Sequence, residues 1–355
     1  MAEKKVLDVV KVGFYGNTGD NRSPEDFPFP ACMTSLMQYL GEDYPIVELE
    51  SHHQKYTQRI ANLHFITASG MAFGLLWSKD YCKSCMDLTQ VNEHNETVKN
   101  AFAWAGYEYE IMEKASDGSN REVIRERIVE SIDKGLPVLA FGIVGPPECV
   151  IISGYDHKGE EITGWSHFQQ WEPCEKESNG MFRRAGWYDS LWKIVFIGKK
   201  IGRSINLKDV LTLGLSIMEK TDSEGYVAGL AVYDEWIRYV LSNELDTIDD
   251  ETLRVRHDLH HDLVGNLAEA RCWGGDFLLH AAEENKDENM RGVAMCFKNI
   301  HDLCWQVWGV LGSYGQQDVW KGFRSTENRR KIAKLLGDIK ELDQKAMTYL
   351  KLAIR

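Results

Sequence analysis

The sequence lacks any run of about 18 consecutive apolar residues, the length that a membrane-spanning helix requires. Its first residues, MAEKKVLDVVKVGFYG, also lack the apolar core and the small-residue cleavage site of a secretory signal peptide. Excess positive charge is missing too: the formal net charge is −13, which disfavours non-specific nucleic-acid binding and attachment to anionic membranes. We therefore predict a cytoplasmic protein with no nucleic-acid partner and no membrane partner.

Metal-binding patterns are incomplete. Eight cysteines are spread over 355 residues, without the dense framework of a disulfide-rich protein. Cys82 and Cys85 form one C-x-x-C, but no second half of a zinc site lies nearby. His257 and His261 have the i, i+4 spacing of helical metal ligands, yet they lack the glutamate of H-E-x-x-H. We therefore predict no metal and no cofactor, and we expect most cysteines to be free thiols.

Length and periodicity divide the chain in two. A chain of 355 residues is long for one hydrophobic core, and 43% hydrophobic with 27% charged residues is typical of globular proteins. Up to about residue 203, helical patterns precede a run of strands, which favours an α+β class. From Leu207 onward helical periodicity dominates, GYVAGLAVYDEWIRYVLSN included. The sequence thus predicts an α+β domain over residues 1–203 and an all-α domain of about five helices over residues 204–355.

One cysteine lies where a helix begins. In DFPFPACMTSLMQYLGED, Pro28 and Pro30 block a helix before them, and Gly41 ends the helical pattern. The i, i+3, i+4, i+7 spacing of a buried helix face is occupied by apolar residues, namely Met33, Leu36, Met37 and Leu40. Cys32 is therefore predicted in the first turn of a helix, where the helix end favours the thiolate form.

The segment GIVGPPECVIISGYDHKGEEITGW, residues 142–165, predicts two strands that turn at DHKGE. Side chains alternate along a strand, so Glu148 faces one side and Cys149 faces the other. Only one of these two residues can point towards Cys32 from a regular strand. If that residue is Cys149, two thiols meet, and a redox or acyl-relay role becomes an option.

Three features resemble the C39-like branch of papain-fold proteins: Cys32 at a helix start, the strand AGYEYE, and IDKGLPVLAFGIV followed by ECVIISGYD. In particular, they resemble the family of the butirosin biosynthesis protein H N-terminal domain. The resemblance implies a papain-like cysteine-peptidase fold for the N-terminal domain, with a helical domain after it. It also implies transfer of an acyl group from a carrier thioester to an amine, with Cys32 as the nucleophile.

The other catalytic positions of that family are occupied here by different residue types. The family histidine falls on Glu148 or Cys149, and the Asn or Asp that orients it falls near Trp165 or Ser166. A carboxylate beside Cys32 disfavours the thiolate, whereas an imidazolium stabilises it. Catalysis by Glu148 would need burial that raises its pKa towards neutrality, where the carboxyl group can act as a general acid or base.

Other residues offer substitutes for the missing groups. Among the histidines His167 is the best placed, just past the second strand, ahead of His64 and His157. Asn17, upstream of the cysteine helix, is expected to supply an amide to an oxyanion site, as the family resemblance implies. We expect Asn17, Trp165 and His167 to contact the substrate.

Two functions of different classes follow from these residues. The first, which the family resemblance makes the leading reading, is cysteine-dependent acyl transfer or amide-bond chemistry on a small amine or peptide-like substrate, with Cys32, Glu148 and Cys149 as catalytic candidates. The second is a catalytically silent papain-fold protein that binds a cationic small molecule with Glu148 as counter-charge. The missing histidine and the net charge of −13 favour the second. A regulatory protein that binds a partner through its helical domain is a third reading, and the sequence leaves the oligomeric state undetermined.

Overall fold

A computed structural model of the chain describes residues 2–12, 27–44, 46–51, 54–79, 88, 95–169, 174–312 and 318–355. Its strands are β1 (Lys5–Val6), β2 (Ile46–Ser51), β3 (Gln54–Arg59), β4 (Leu76–Trp77), β5 (Tyr107–Glu113), β6 (Val138–Phe141), β7 (Cys149–Asp156), β8 (Glu161–Ser166), β9 (Glu175–Lys176), β10 (Phe182–Ala185), β11 (Lys193–Lys200), β12 (Asp222–Ser223) and β13 (Tyr226–Ala228). Its helices are α1 (Pro28–Tyr39), α2 (Ile60–Ala68), α3 (Glu96–Ala105), α4 (Arg121–Asp133), α5 (Trp187–Ser190), α6 (Leu207–Glu219), α7 (Ala231–Val240), α8 (Asp250–Asn285), α9 (Glu288–Leu311) and α10 (Thr326–Ala353). An antiparallel sheet with a helical C-terminal region confirms the predicted α+β class.

Two compact units divide the chain. The first comprises Met1–Phe65 and Val98–Ser204, and the second comprises Ile66–Thr97 and Ile205–Arg355. The predicted division differs from this one in the segment Ile66–Thr97, because the prediction placed all of residues 1–203 in one domain. Within that segment β4 pairs with β13 of the second unit. Such a backbone ladder between distant parts of the chain leaves no local pattern in the sequence, so periodicity could not assign the segment.

The first unit is built on an eight-stranded antiparallel sheet with the strand order β5-β11-β6-β7-β8-β10-β9, and β1 also pairs with β7. Strands β6 and β7 are buried along almost their whole length, as their largely apolar sequences VLAF and CVIISGYD dictate. Helices α1 and α4 both pack against β7. The helix that carries Cys32 therefore lies on a deeply buried strand of the sheet.

A glycine shapes the turn that leads from β6 into β7. Gly142 has a φ of +89°, a left-handed conformation that is costly for any residue with a side chain. A Cβ atom there would lie 2.6 Å from the carbonyl oxygen of Ser190. The Gly142 N–H donates to the carbonyl of Glu148 at 3.1 Å. The chain thereby re-enters the sheet with Cys149 as the first residue of β7.

The second unit is organised around α8, α9 and α10, which pack against one another. The predicted C-terminal helices correspond to α6 through α10, but the prediction of an all-α domain is wrong, because β12, β13 and β4 form a small antiparallel sheet. Glu224 and Gly225 both have positive φ angles, which close a tight hairpin between Ser223 and Tyr226. The helix predicted to include GYVAGL therefore begins only at Ala231.

The long helices of the second unit bury one face each. In α10 the buried apolar residues recur at helical spacing: Ile332, Leu336, Ile339, Ala346 and Leu350. This helix packs against α9 and α7. None of the described helices combines the length and the apolar character that crossing a bilayer requires.

Candidate functional site

Cys32 is the fifth residue of α1. The helix begins at Pro28 after an extended Phe27, and the Ala31 N–H donates to the Phe27 carbonyl at 3.0 Å. The prediction that Cys32 occupies the first turn is therefore wrong by one residue, because proline is tolerated at the start of a helix. Pro28 and Pro30 have no N–H, so this helix end presents fewer donors than usual.

Cys149, the first residue of β7, is the residue that contacts Cys32 of α1. The Cys32 thiol donates to the Cys149 carbonyl oxygen with a sulfur–oxygen distance of 3.6 Å, and the Cys149 thiol donates to the Val150 carbonyl oxygen at 3.7 Å. Both residues are 0% exposed. Glu148, the other candidate, is half-buried and precedes the strand. The structure thus brings two of the predicted catalytic residues together as a pair of buried thiols.

The environment of Cys149 keeps its thiol protonated. Burial raises the pKa of Cys149, the interaction with the neighbouring Cys32 and the negative charge of Glu148 raise it further, and only Lys193 opposes them. The pKa therefore lies well above its ordinary value. In a Cys–His pair the second residue takes the proton of the nucleophile at neutral pH. Cys149 cannot take over that role, because it retains its own proton there.

The sheet register reveals a buried lysine that the sequence analysis missed. Lys193 pairs with Phe141, and Phe141 pairs with Cys149, so all three side chains lie on one face of the sheet. Lys193 is 2% exposed, and its Nζ lies 4.7 Å from the ring centre of Phe141 and 4.3 Å from that of Trp192. The signal in the sequence is a lysine inside the apolar strand LWKIVFIG, since lysine is rarely buried.

Trp165 contributes to the packing of the sheet. It is 7% exposed, and its indole Nε1–H donates to the carbonyl of Val9 at 3.0 Å. The Nζ of Lys11 lies 5.9 Å from the centre of its ring. The indole N–H is thus engaged by the backbone, which leaves the ring as the only part of Trp165 for a ligand to contact. Asn17, predicted beside it as a substrate-binding residue, lies outside the described residues.

His167 directly follows β8, the strand that pairs with the Cys149 strand β7. Ser166, the last residue of β8, pairs with Val150 in the β7–β8 ladder, and His167 follows it in a turn. His167 is buried, and its ring packs edge-to-face against Phe168 with the ring centres 5.2 Å apart.

The two other histidines considered from the sequence have different surroundings. His157 is exposed and follows the last residue of β7, so the length of the strand, roughly 25 Å, separates it from Cys149. Nδ1 of His64 accepts a hydrogen bond from Nε1 of Trp104 at 3.2 Å. That bond leaves Nδ1 of His64 engaged within its own part of the first unit.

Two further polar residues of the first unit stand out by their burial. Ser35 and Asn62 are both 0% exposed. Within the described part of the chain, neither the Ser35 hydroxyl nor either amide atom of Asn62 has a hydrogen-bond partner. Burying a polar group without a hydrogen-bond partner lowers the stability of the fold by about 1–3 kcal/mol. Ser35 follows Cys32 by three residues on the same face of α1. Neither residue interrupts a helical pattern, so the sequence offered no signal for them.

One cluster of three potential metal ligands occurs among the described residues. Ligand atoms of Asp156, His157 and Glu161 lie within 4.8 Å of one another. Asp156 pairs with Lys4 at 3.2 Å, and Glu161 pairs with Arg183. These cations offset the negative charge that would attract a metal ion, so we assign no metal site to the cluster.

No protein-family model matches the sequence, and no curated protein is significantly similar to it. The papain-like assignment therefore rests on the quoted motifs alone. The chemistry of the site must be inferred from the geometry of Cys32, Cys149 and Lys193.

Proposed function

We propose that the chain is a papain-like scaffold protein that binds a small amine or peptide-like ligand and does not perform Cys–His catalysis. The observation that carries this proposal is the contact between two buried cysteines, in which the Cys32 thiol donates to the carbonyl oxygen of Cys149. In the family that the sequence resembles, a histidine at Glu148 or Cys149 takes the proton of the nucleophile. A thiol with a raised pKa is still protonated at neutral pH, so it cannot accept that proton.

The scaffold part of the proposal is supported by the position of α1. This helix packs against β7, a central strand of an antiparallel sheet, and Cys32 and Cys149 lie where the two elements meet. A cysteine-bearing helix packed on the strand that would carry the base is the arrangement that the papain resemblance implies. The buried lysine and the second thiol are departures from it.

The proposed ligand class follows from the charges near the thiols. Glu148 lies close enough for its charge to raise the pKa of Cys149, and a bound ammonium group would pair with it. Lys193 lies on the same face of the sheet as Cys149 and would repel a second cation. We therefore expect a ligand with one amine and an otherwise neutral body.

Cys32 should react slowly with iodoacetamide at neutral pH, because the thiol is buried and its neighbour is not a base. Replacing Cys149 with histidine should accelerate the alkylation of Cys32 by about tenfold or more, since an imidazole stabilises the thiolate as an ion pair. The measurement is the rate of alkylation of the tryptic peptide 23–55, followed by mass spectrometry.

The matched control for that experiment is Cys149→Asn, which introduces a polar side chain without a base and should leave the rate close to that of the wild type. Equal acceleration by Asn and His would show that loosened packing, not proton transfer, exposes Cys32. Rapid alkylation of the wild-type protein at mildly acidic pH would contradict the proposal, because it would require a thiolate that is already activated.

Acyl transfer through Cys32 is a second candidate function, favoured by one observation. Lys193 is a buried amine on the same face of the sheet as Cys149, and its charge favours the Cys149 thiolate. A buried lysine can act as a general base or stabilise a thiolate nucleophile. Under this candidate Cys32 would carry the acyl group as a thioester before an amine receives it.

A small acyl thioester, S-acetyl-N-acetylcysteamine, separates the two functions. Under the leading proposal, intact-mass spectrometry should find no acetyl adduct on Cys32. Under the second candidate an adduct forms, Cys32→Ser abolishes it, and Lys193→Met slows it by about tenfold or more. Lys200→Met is the control, because Lys200 lies on the same strand but is exposed and pairs with Glu42.

A further inference from the structure

We propose that the second unit carries a binding site for a quaternary ammonium group, built on the aromatic rings of Trp305, Trp308 and His261. Trp305 and Trp308 belong to α9, and His261 belongs to α8. Cys32 and Cys149 lie in the first unit, so the inference does not depend on the proposed function. It rests on an exposed indole ring that meets a second indole nearly at a right angle, on helix turns that carry acidic residues.

Trp305 offers an exposed aromatic surface. It is 40% exposed, and its indole Nε1–H donates to Nε2 of His301 at 3.1 Å. This hydrogen bond orients the ring and occupies its only donor. The exposed part of Trp305 therefore presents a π-electron surface to a ligand. Such a surface attracts a cation, and tryptophan is the best of the aromatic side chains for this interaction.

Trp308 gives the site a second aromatic side. The ring centres of Trp305 and Trp308 lie 5.0 Å apart, and their planes are inclined at 74°, so the two rings form a corner. Trp308 is only 9% exposed, which means that packing holds it in place. The ring of His261 lies 5.8 Å from that of Trp308 and extends the aromatic surface onto α8.

The kind of cation follows from what these rings can offer. A primary ammonium group has three N–H donors, and each of them needs an acceptor that an aromatic ring supplies poorly. A quaternary ammonium group has no donor, and its methyl groups pack against indole rings while its charge is attracted by them. A trimethylammonium group is therefore the cation that suits a corner of two tryptophans.

The charges on the same helix turns favour a cation. Segment 257–265, HDLHHDLVG, contains two aspartates, and segment 301–309, HDLCWQVWG, contains one, whereas neither segment contains a lysine or an arginine. Asp302 is 58% exposed and precedes Trp305 by three residues, which places both on the same side of α9. An exposed carboxylate at this distance attracts a cationic ligand without contacting it.

A glycine leaves room next to the exposed ring. Gly309 follows Trp305 by one helical turn, and a Cβ atom there would face open space among the described residues. Glycine inside a helix is less favourable than alanine, and the packing of the described residues does not require it at this position. The bare backbone at Gly309 lets a group as bulky as trimethylammonium approach Trp305.

The test measures choline binding to the full-length protein by saturation-transfer difference NMR at pH 8, where an ordinary histidine is neutral. We expect saturation of the choline methyl signal that titrates to a plateau. The matched control ligand is 3,3-dimethylbutan-1-ol, which has the shape of choline and no charge. It should bind at least about tenfold more weakly, because it lacks the attraction between a cation and the rings. Equal binding of the two ligands, or no binding of choline, would show that the inference is wrong.

Variants locate the site. Trp305→Leu keeps an apolar side chain but removes the π surface, so the affinity for choline should fall by about tenfold or more, and Trp305→Phe should lose less. Asp302→Asn should lower the affinity by about threefold, through the loss of one nearby charge. Circular dichroism spectra equal to that of the wild type would show that these variants remain folded.

Glu148→Gln is the matched control for Asp302→Asn, because it makes the same carboxylate-to-amide change in the first unit and should leave choline binding unchanged. If Trp305→Leu binds choline as well as the wild type does, the inference is wrong. If, in addition, Glu148→Gln loses the binding, the cation occupies the site of the proposed function instead. The proposed function itself fails on a different result, the rapid alkylation of Cys32 in the wild-type protein.

Discussion

Replacing Arg271 with methionine should lower the free energy of unfolding by about 3–5 kcal/mol, because it leaves a buried carboxylate without its counter-charge. Arg271 is 1% exposed, and its guanidinium donates twice to Asp343, over 3.0 Å from Nε and 2.8 Å from Nη2. Burial by itself lowers the pKa of Arg271, but the interaction with Asp343 outweighs burial, so the pKa of Arg271 is raised. The Tyr233 hydroxyl also donates to Asp343, at 2.6 Å.

Arg271 additionally holds backbone carbonyl groups of the second unit. Its Nη1 donates to the carbonyl of Ala72 at 2.6 Å. Helix α8 comes close to this turn at Gly274, where a Cβ atom would lie 2.7 Å from the Cβ of Ala72. The substitution therefore also weakens the attachment of the segment Ile66–Thr97 to the helices of its own unit.

The measurement is urea unfolding followed by far-ultraviolet circular dichroism. The double variant Arg271→Met/Asp343→Asn should recover part of the loss, because no charge remains unpaired and asparagine still accepts from Tyr233. Arg291→Met is the surface control: Arg291 is 40% exposed and pairs with Glu288, so we expect a change below about 1 kcal/mol. A loss at Arg271 no larger than the loss at Arg291 would refute the assigned role.

Lowering the pH from about 7 to about 5.5 should destabilise the second unit by about 1–2.5 kcal/mol, through two histidines buried in their neutral form. His260 is 1% exposed, and its Nδ1 accepts from Nε1 of Trp236 at 2.9 Å. Burial, with the neighbouring His257 and His261, lowers the pKa of His260 well below its usual value. Burial also lowers the pKa of His257, against the opposing effect of Asp258.

Proton linkage explains why stability falls, and does not rise, as the pH is lowered. Both histidines have a lower pKa in the folded protein than in the unfolded chain, where it is about 6.5. Below that pH the unfolded chain binds more protons, so folding stability is complete above about pH 6.5 and declines as the pH falls towards the folded pKa. Among the described residues Nε2 of His260 has no hydrogen-bond partner, so a charged ring would find no acceptor there.

His260→Gln separates this contribution from other titrating groups. Glutamine does not titrate and can still accept from Trp236, so the loss of stability between about pH 7 and pH 5.5 should shrink by roughly half. Each variant is compared with the wild type by how much its free energy of unfolding, measured with urea, changes between the two pH values. His280→Gln, at an exposed position of the same helix, should keep the wild-type pH dependence. An unchanged dependence in His260→Gln would mean that His260 is not held neutral.

Much of the helical structure could be predicted from local patterns. The apolar spacing from Met33 to Leu40 identified α1, and the long stretches around Leu263 and Leu336 identified α8 and α10. The error of one residue at Cys32 came from treating Pro28 as a barrier, although a proline at the first helical position loses no hydrogen bond. Turns were harder to predict from the sequence than helices. At Glu224 the helical pattern is interrupted by a hairpin, which only the φ angles of the structure reveal.

The sequence by itself determined the long helices and the central strands of the sheet and which of their faces are apolar, because periodicity reports the side of an element that avoids water. It also narrowed the candidate site to Cys32 and the adjacent pair Glu148 and Cys149. Only the tertiary structure decided that Cys149 meets Cys32 and that Lys193 lies on the same sheet face. Strand register and helix packing bring together residues that are far apart in the chain, and many registers and packings bury the same apolar faces. Periodicity therefore cannot choose between them.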